Sequence, residues 1–337
     1  MCAGLVLLAS SAYGQDARKA FSISMTTSSG LLVGEGFEYV YDQGVSTNYK
    51  VSELDWPFQP LFYTGAALSL SSRMGIFASL DLKQGLSGKT GTMSDSDFLN
   101  GDGVKTNLSE SDCYSERDIL LDLKLGYDLP LHLPFILGVY AGFSYMDFKW
   151  SARDGYYQYP TSGDPYTIDP ATGTLTSYGT YTQWSADETK TPLYGTGILY
   201  EQAYVIGSLG LRASYRLLDA LIVGASFSFS PLAYCSTEDN HELRLVDFYS
   251  TLSGGFVIEP GLSLEYTIKP GASLKLSVDY RQLFNLMGDI TQVEEGTTST
   301  ASDNNYFAGP DSASTSTNGS GAALWMLDAS LLFRLEL

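Results

Sequence analysis

After residue 20 the chain alternates apolar and polar side chains with a period of two, and its polar parity carries charges of both signs. In Ile119–Leu129, Ile119, Leu121, Leu123, Leu125, Tyr127 and Leu129 share one parity, and Asp122, Lys124 and Asp128 the other. In Ser273–Arg281, Leu274, Leu276, Val278 and Tyr280 alternate with Ser273, Lys275, Ser277, Asp279 and Arg281. Leu221, Val223, Ala225, Phe227 and Phe229 alternate with glycine and serine. The last segment sets Trp325, Leu327, Ala329, Leu331, Phe333, Leu335 and Leu337 against Asp328, Ser330, Arg334 and Glu336. Successive side chains of a strand point to opposite faces, so these are two-faced strands.

A soluble sandwich also alternates, but its outward face is the polar one. Here the polar parity is charged strand after strand, and the apolar parity ends in aromatics and runs to the last residue. That is the pattern of a transmembrane β-barrel with lipid outside and a polar lumen. Backbone groups in lipid must all be paired, so the sheet has to close on itself. No stretch reaches 18 apolar residues, which excludes a membrane-spanning helix.

The connections agree with a barrel. Short links at 71–74, 130–134, 217–219 and 269–271 alternate with long ones at 41–48, 94–116, 153–192, 235–246 and 290–321. Four turns and five loops join ten strands, and short inner turns with long external loops are the barrel asymmetry. The fold class expected is all-β: one closed antiparallel transmembrane barrel over residues 15–337, without a domain boundary. Residues 1–14 read as a secretory signal, an apolar run ending in Ala12-Tyr13-Gly14, though the usual basic start is missing.

A net charge of −19 argues against nucleic acid and favours cationic peptides or metal ions as partners. Of the three cysteines, Cys2 lies in the leader, and no Cys-x-x-Cys or Cys/His cluster supports zinc. Cys113 and Cys235 fall at rim loops or loop edges. A disulfide between them would tie the segment after Asp97 to the strand before Asp239; two independent thiols is the other reading.

Chemistry is expected at the outer rim, where the long loops are. Asp95 and Asp97 sit at i and i+2 on the parity of Ser79, Asp81 and Lys83, so without an intervening bulge they face the lumen. Two carboxylates that close cannot both ionise cheaply, which suits a pair that holds a water or shares a proton. Asp239 and His241 are again i and i+2, and a carboxylate beside an imidazole fixes its tautomer and stabilises the imidazolium. Their odd parity is the wrong one for their strand, so a bulge or bend near Pro231 is required. Glu38 shares the even, inward parity of Ser22, Ser24 and Thr26. His132, in a tight turn at the other end, reads as structural. Asp154, Asp164 and Asp169 lack EF-hand spacing for calcium.

These residues resemble the omptin family, the aspartyl-type endoproteases of bacterial outer membranes. "YKVSELDWPF" (49–58), "MSDSDF", "FKWSARDGYY" (148–157) and "STEDNHEL" resemble the family's Leu-Asp-Trp segment, its Asp-x-Asp pair, its Ala-Arg-Gly stretch and its Asp-x-His dyad, in family order. The resemblance implies that Asp239 orients His241, that His241 activates a water, and that Asp95 and Asp97 hold it. It implies no covalent intermediate, no metal and no cofactor. Glu38 would bind the basic residue before the cut bond. Where the family has a second selecting Asp, this chain has Thr237, with Glu238 beside it as the further candidate for substrate binding. Basic peptides or exposed host proteins are the expected substrates of a monomer in the outer membrane, active outside the cell. The family's lipopolysaccharide-binding positions match Asp147, Glu201 and Ala203 here, so activation by that lipid is not expected. A catalytically silent adhesin using Tyr-rich loops is the alternative, and a narrow channel the third.

Overall fold

The computed structural model describes residues 20–42, 49–131, 135–160, 166–168, 175–178, 181–294, 297–299, 306–308 and 312–337. The signal segment, His132, Asp164 and Asp169 lie outside them.

The strands are β1 (Phe21–Asp42), β2 (Tyr49–Ser72), β3 (Ile76–Gly85), β4 (Gly88–Asp97), β5 (Asn107–Asp128), β6 (Phe135–Gln158), β9 (Thr191–Leu218), β10 (Leu221–His241), β11 (Val246–Ser253), β12 (Val257–Lys269), β13 (Ala272–Glu294) and β16 (Ser312–Glu336). Two small hairpins, β7 (Tyr166–Ile168) with β8 (Leu175–Tyr178) and β14 (Thr297–Ser299) with β15 (Tyr306–Ala308), stand apart from the main sheet. β4 continues β3 and β12 continues β11, so the main sheet has the ten walls that the alternation predicts. Each wall pairs antiparallel with its neighbours, and β1 pairs with both β2 and β16, which closes the cylinder.

The faces sort as the sequence requires. Leu276 and Leu331 oppose each other on the outside, each about half exposed, with Leu264 beside them. The lumen is filled by charge pairs. Lys83 Nζ lies 2.5 Å from Asp328, which also accepts from the Tyr63 hydroxyl. Arg281 bridges Asp122 at 3.1 Å and Glu259 at 3.0 Å, and Arg212 grips Asp128 with two hydrogen bonds. A buried charge is tolerated only when paired, so Lys83 and Arg281 depend on the acids they meet inside the lumen.

Above the polar lumen lies an aromatic layer. Trp56 stacks on Trp150 (5.9 Å) and Tyr200 (5.1 Å), and Phe58 packs against Phe148 (4.9 Å). All five rings are fully buried. They reach inward from β2, β6 and β9 and fill the cross-section there. A ten-stranded barrel has room for little more than its own side chains.

Several walls reset their parity at this level. On β2 the inward residues are Leu61 and Tyr63 below Gln59–Pro60 and Trp56 and Phe58 above it. On β13 they pass from Arg281 and Leu283 to Leu286 and Ile290 across a register shift. On β10 the pairing with β9 slips between Phe229 and Leu232. Pro231 has no N–H to give the ladder, and the Ser230 hydroxyl fills the gap: it donates to Gly207 O (2.6 Å) and accepts from Leu232 N (3.1 Å). This is the bulge that the parity of Asp239 and His241 demands.

The strands also run further than expected. Segments 94–97 and 235–241, read as loop from their polarity, are the paired outer ends of β4 and β10. Serine, threonine and aspartate end the lipid-facing pattern there without ending the backbone ladder. Of the two readings for Cys113 and Cys235, the structure has the independent thiols, both of them buried. Cys113 lies between Gly91 and Ala152, and Cys235 between Tyr204 and Leu252, on separate stretches of wall.

Placing a cation on the outer face tests its assignment to lipid. Leu276→Arg should destabilise the barrel by about 2–4 kcal/mol in a bilayer. Urea unfolding in lipid vesicles reads this, and a cost near zero would mean that the face meets water.

Candidate active site

The cleft is built from β1, β2 and β4 on one wall and β10 on the other. Asp95 stands beside Leu54 of β2, and Leu54 stands beside Glu38 of β1, so the three form one row across adjacent strands. Asp239 and His241 end β10, which is separated from β4 by β5, β6 and β9. The cylinder brings these two groups, 144 residues apart in the chain at Asp95 and Asp239, to one mouth.

Asp95 and Asp97 reach the lumen through two irregularities that offset each other. The wall breaks at Leu86–Ser87, which puts even-numbered Thr90 inside; a register shift at Lys89–Gly91 then returns odd residues inward, beginning with Met93. Gly91 is needed there. Its φ is +141°, and a Cβ would come within 2.8 Å of the Pro57 ring.

Each acid is held. The Ser52 hydroxyl donates to Asp95 Oδ1 (3.0 Å), and the Asn107 amide donates to Asp97 Oδ2 (3.0 Å). Burial raises the Asp95 carboxyl to about 7, and the charge of Asp97 adds to this. Burial also raises Asp97, less so because Asn107, Ser52, Arg244 and His241 favour its charged form.

On the facing wall, His241 Nε2 lies 2.8 Å from Asp239 Oδ2. With Nε2–H donating to the carboxylate, Nδ1 carries the basic lone pair, and the Arg244 guanidinium is the group nearest to it. Phe248 of β11, paired with Asp239, sets its ring edge-on to the imidazole at 5.4 Å and fixes its tilt. His241 and Asp239 both act on the Asp95 carboxyl through space, so the two halves meet across the cleft.

Glu38 is buried, and its Oε2 has no hydrogen-bond partner. Burial, then the charges of Asp239 and Asp95, raise its carboxyl well above the usual range. A desolvated carboxyl of this kind favours a cation beside it. Among the described residues, no group of three or more His, Cys, Asp or Glu is placed to hold a metal ion.

Glu238 needs correction as a site residue. It is exposed on the outer face of β10, between inward-facing Thr237 and Asp239. The alternation that brings Asp239 in turns its neighbour out, so the inward position two before Asp239 is Thr237. Sequence reasoning also missed members of the site. Gln202 is fully buried; it donates to Phe37 O and accepts from the Tyr204 hydroxyl, pinning the backbone next to Glu38. Arg244 places Nη1 3.5 Å from His241 Nδ1. The inward parity of β9 could have singled out Gln202, but nothing in the sequence aims Arg244 at the histidine.

A closed cylinder with an apolar outer face and a cleft of carboxyls and one imidazole at its outer mouth defines an outer-membrane β-barrel. The chain belongs to the omptin family, whose model matches residues 19–319. It is therefore an outer-membrane β-barrel protease with its active site outside the cell. It is 23% identical over 268 residues to the plasminogen activator of Yersinia pestis, covering 77% of this chain and 75% of that one. The crystal structure of the outer-membrane protease OmpT from Escherichia coli has the same fold. Its TM-score is 0.75 at 21% identity, over 94% of this chain and 97% of that one.

The raised Asp95 has a pH signature. An unfolded chain loses this proton at about pH 4, the folded one only at about 7. The folded state is therefore penalised progressively between those values and fully above them. Asp95→Asn removes the penalty, so its stability relative to the native protein should increase from pH 4 to pH 8. Urea unfolding at both pH values measures this; a difference that does not change with pH would contradict the burial of Asp95.

Proposed function

We propose that the cleft hydrolyses peptide bonds next to basic residues by an activated water, in the manner of an aspartyl-type endopeptidase with an Asp–His dyad. The observation that carries this reading is the His241 imidazole, bonded to Asp239 through Nε2 and close enough to Asp95 and Asp97 to favour their charged forms.

In the first step His241 Nδ1 takes a proton from a water held by the aspartate pair. The water oxygen bonds to the scissile carbonyl carbon, and the C=O π electrons move onto oxygen. The imidazolium is stabilised by Asp239. The tetrahedral species then collapses, the C–N bond breaks, and the imidazolium returns its proton to the leaving amine. Burial raises both carboxyls, Asp95 to about 7, and the pair holds the attacking water while it gives up its proton.

Glu38 supports a basic side chain before the cut bond, because a guanidinium or ammonium would partner its orphaned oxygen. With Thr237 inward in place of a second acid, one carboxyl carries that selection. The acidic mouth also concentrates cationic peptides, and the active unit is the single barrel.

A quenched peptide containing Arg-Arg, offered to the detergent-folded protein, tests this. His241→Ala and Asp95→Ala should each lower cleavage by about a hundredfold or more, and Glu38→Gln should raise KM for the Arg peptide by about tenfold or more. Equal cleavage by native protein and His241→Ala would remove the dyad from the chemistry. Absence of cleavage of this peptide by the native protein would remove the preference for basic residues.

The outer face argues for independence from lipopolysaccharide. At the level of Asp147, Glu201 and Ala203, the cations Arg117 and Lys149 are already matched. Arg117 lies 2.9 Å from Asp147 and 2.7 Å from Glu201, and Lys149 lies 3.4 Å from Glu201. Paired in this way, they offer no net positive charge to lipid phosphates. Cleavage in lipopolysaccharide-free detergent should change less than twofold on adding the lipid, and strong activation would show that the pairs open to bind it.

A further inference from the structure

The groups assigned so far are rich in acceptors and poor in donors. Asp95, Asp97, Asp239 and Glu38 all present carboxyl oxygens, yet the carbonyl oxygen of a tetrahedral intermediate needs a donor aimed at it. The Ser52 hydroxyl and the Asn107 amide are spent on Asp95 and Asp97. The His241 Nε2–H is spent on Asp239.

One hydroxyl at the mouth has no such role. Ser109 of β5 pairs with Asp95 on one side and with Tyr157 of β6 on the other, so Asp95, Ser109 and Tyr157 form a row across three strands. Tyr159 follows two residues beyond Tyr157, and their rings pack at 4.8 Å. This carries the Tyr159 ring along the top of the row, and it remains about half exposed. Its hydroxyl lies within reach of Ser109 and feels the charges of Asp95, Asp97 and Arg244. Arg244 itself stands against His241 Nδ1 and also acts on the phenol, so the two groups approach one space from β6 and β10, which only β9 separates. A phenol is protonated at any working pH, and the neighbouring aspartates favour that form further, so the hydroxyl stays a donor.

We propose that Tyr159 is a further catalytic residue, whose hydroxyl donates a hydrogen bond to the oxyanion formed when water adds to the scissile carbonyl. It makes no covalent bond and transfers no proton. It stabilises the negative oxygen while the C=O π pair resides there, and releases it when the C–N bond breaks. The inference rests on the hydrolytic reading above and adds the donor that reading lacks.

The test compares native protein, Tyr159→Phe, Tyr159→Ala and Arg244→Gln on the Arg-Arg peptide, with kcat and KM measured separately. Tyr159→Phe keeps the ring against Tyr157 and removes only the hydroxyl. It should lower kcat about ten- to hundredfold with KM within about twofold, and Tyr159→Ala should match it. A Phe variant with kcat within twofold of native overturns the proposal. In that case loss of kcat in Ala alone assigns Tyr159 to packing, and loss in Arg244→Gln assigns the donor to the guanidinium. If the native protein cleaves and the Phe variant cleaves equally, only this proposal fails; if the native protein cleaves nothing, the hydrolytic reading fails with it.

Discussion

Every backbone N–H and C=O that enters lipid has to find its partner within the protein, and for an all-strand chain this is possible only if the first strand pairs with the last. The β1–β16 ladder meets that requirement and runs from Ser24 opposite Glu336 to Val40 opposite Ser320. Closure then fixes everything else. It sets an inside and an outside, limits the lumen to the volume of its own side chains, and decides which distant segments share a mouth. Without it, Asp95 on β4 and His241 on β10 would be ends of unrelated hairpins.

Closure also explains how so many carboxyls can be kept in one cleft. Glu38 and Asp239 are buried and Asp95 and Asp97 half-buried beside them, and desolvation is the largest influence on Glu38, Asp95 and Asp97. Such a cluster costs folding free energy above neutral pH and survives because the long ladders and aromatic layer hold the walls in place around it. The same confinement gives the site its acid–base range. A carboxyl near 7 beside an imidazole can hold, share or release a proton under physiological conditions, which a solvated aspartate cannot do.

The aromatic layer divides the molecule by chemistry. Below it, lumen charges are neutralised pairwise by Lys83, Arg212 and Arg281. Above it, the acids face each other with little cationic compensation, Arg244 being the cation set against His241. Trp56, Trp150 and Tyr200 thus floor the cleft and seal the lumen from it, which suits a protein that works at its rim and not as a channel. The parity changes on β2, β10 and β13 fall near this floor. Each lets a wall re-aim its inward side chains after it has satisfied the lipid, so the outer third of the barrel is shaped by the site alone.

The order of residues by itself determined the barrel, its ten walls and the two acidic clusters. Alternation is a local property that lipid on one face and water on the other make legible, and the motifs stand whole in the sequence. It also determined that Asp239 and His241 needed a bulge, because Ser230-Pro231 marks where a ladder bond is lost. The sequence did not determine that segments 94–97 and 235–241 are strand, since polarity above the membrane looks the same in a loop and in a paired edge. Nor could it place Glu238 outside or keep Cys113 and Cys235 apart, or bring Tyr159, Gln202 and Arg244 to the cleft. Those outcomes depend on strand stagger and on bulges that offset one another, such as the pair flanking Thr90. They are set by contacts between residues far apart in the chain, and only the closed cylinder decides them.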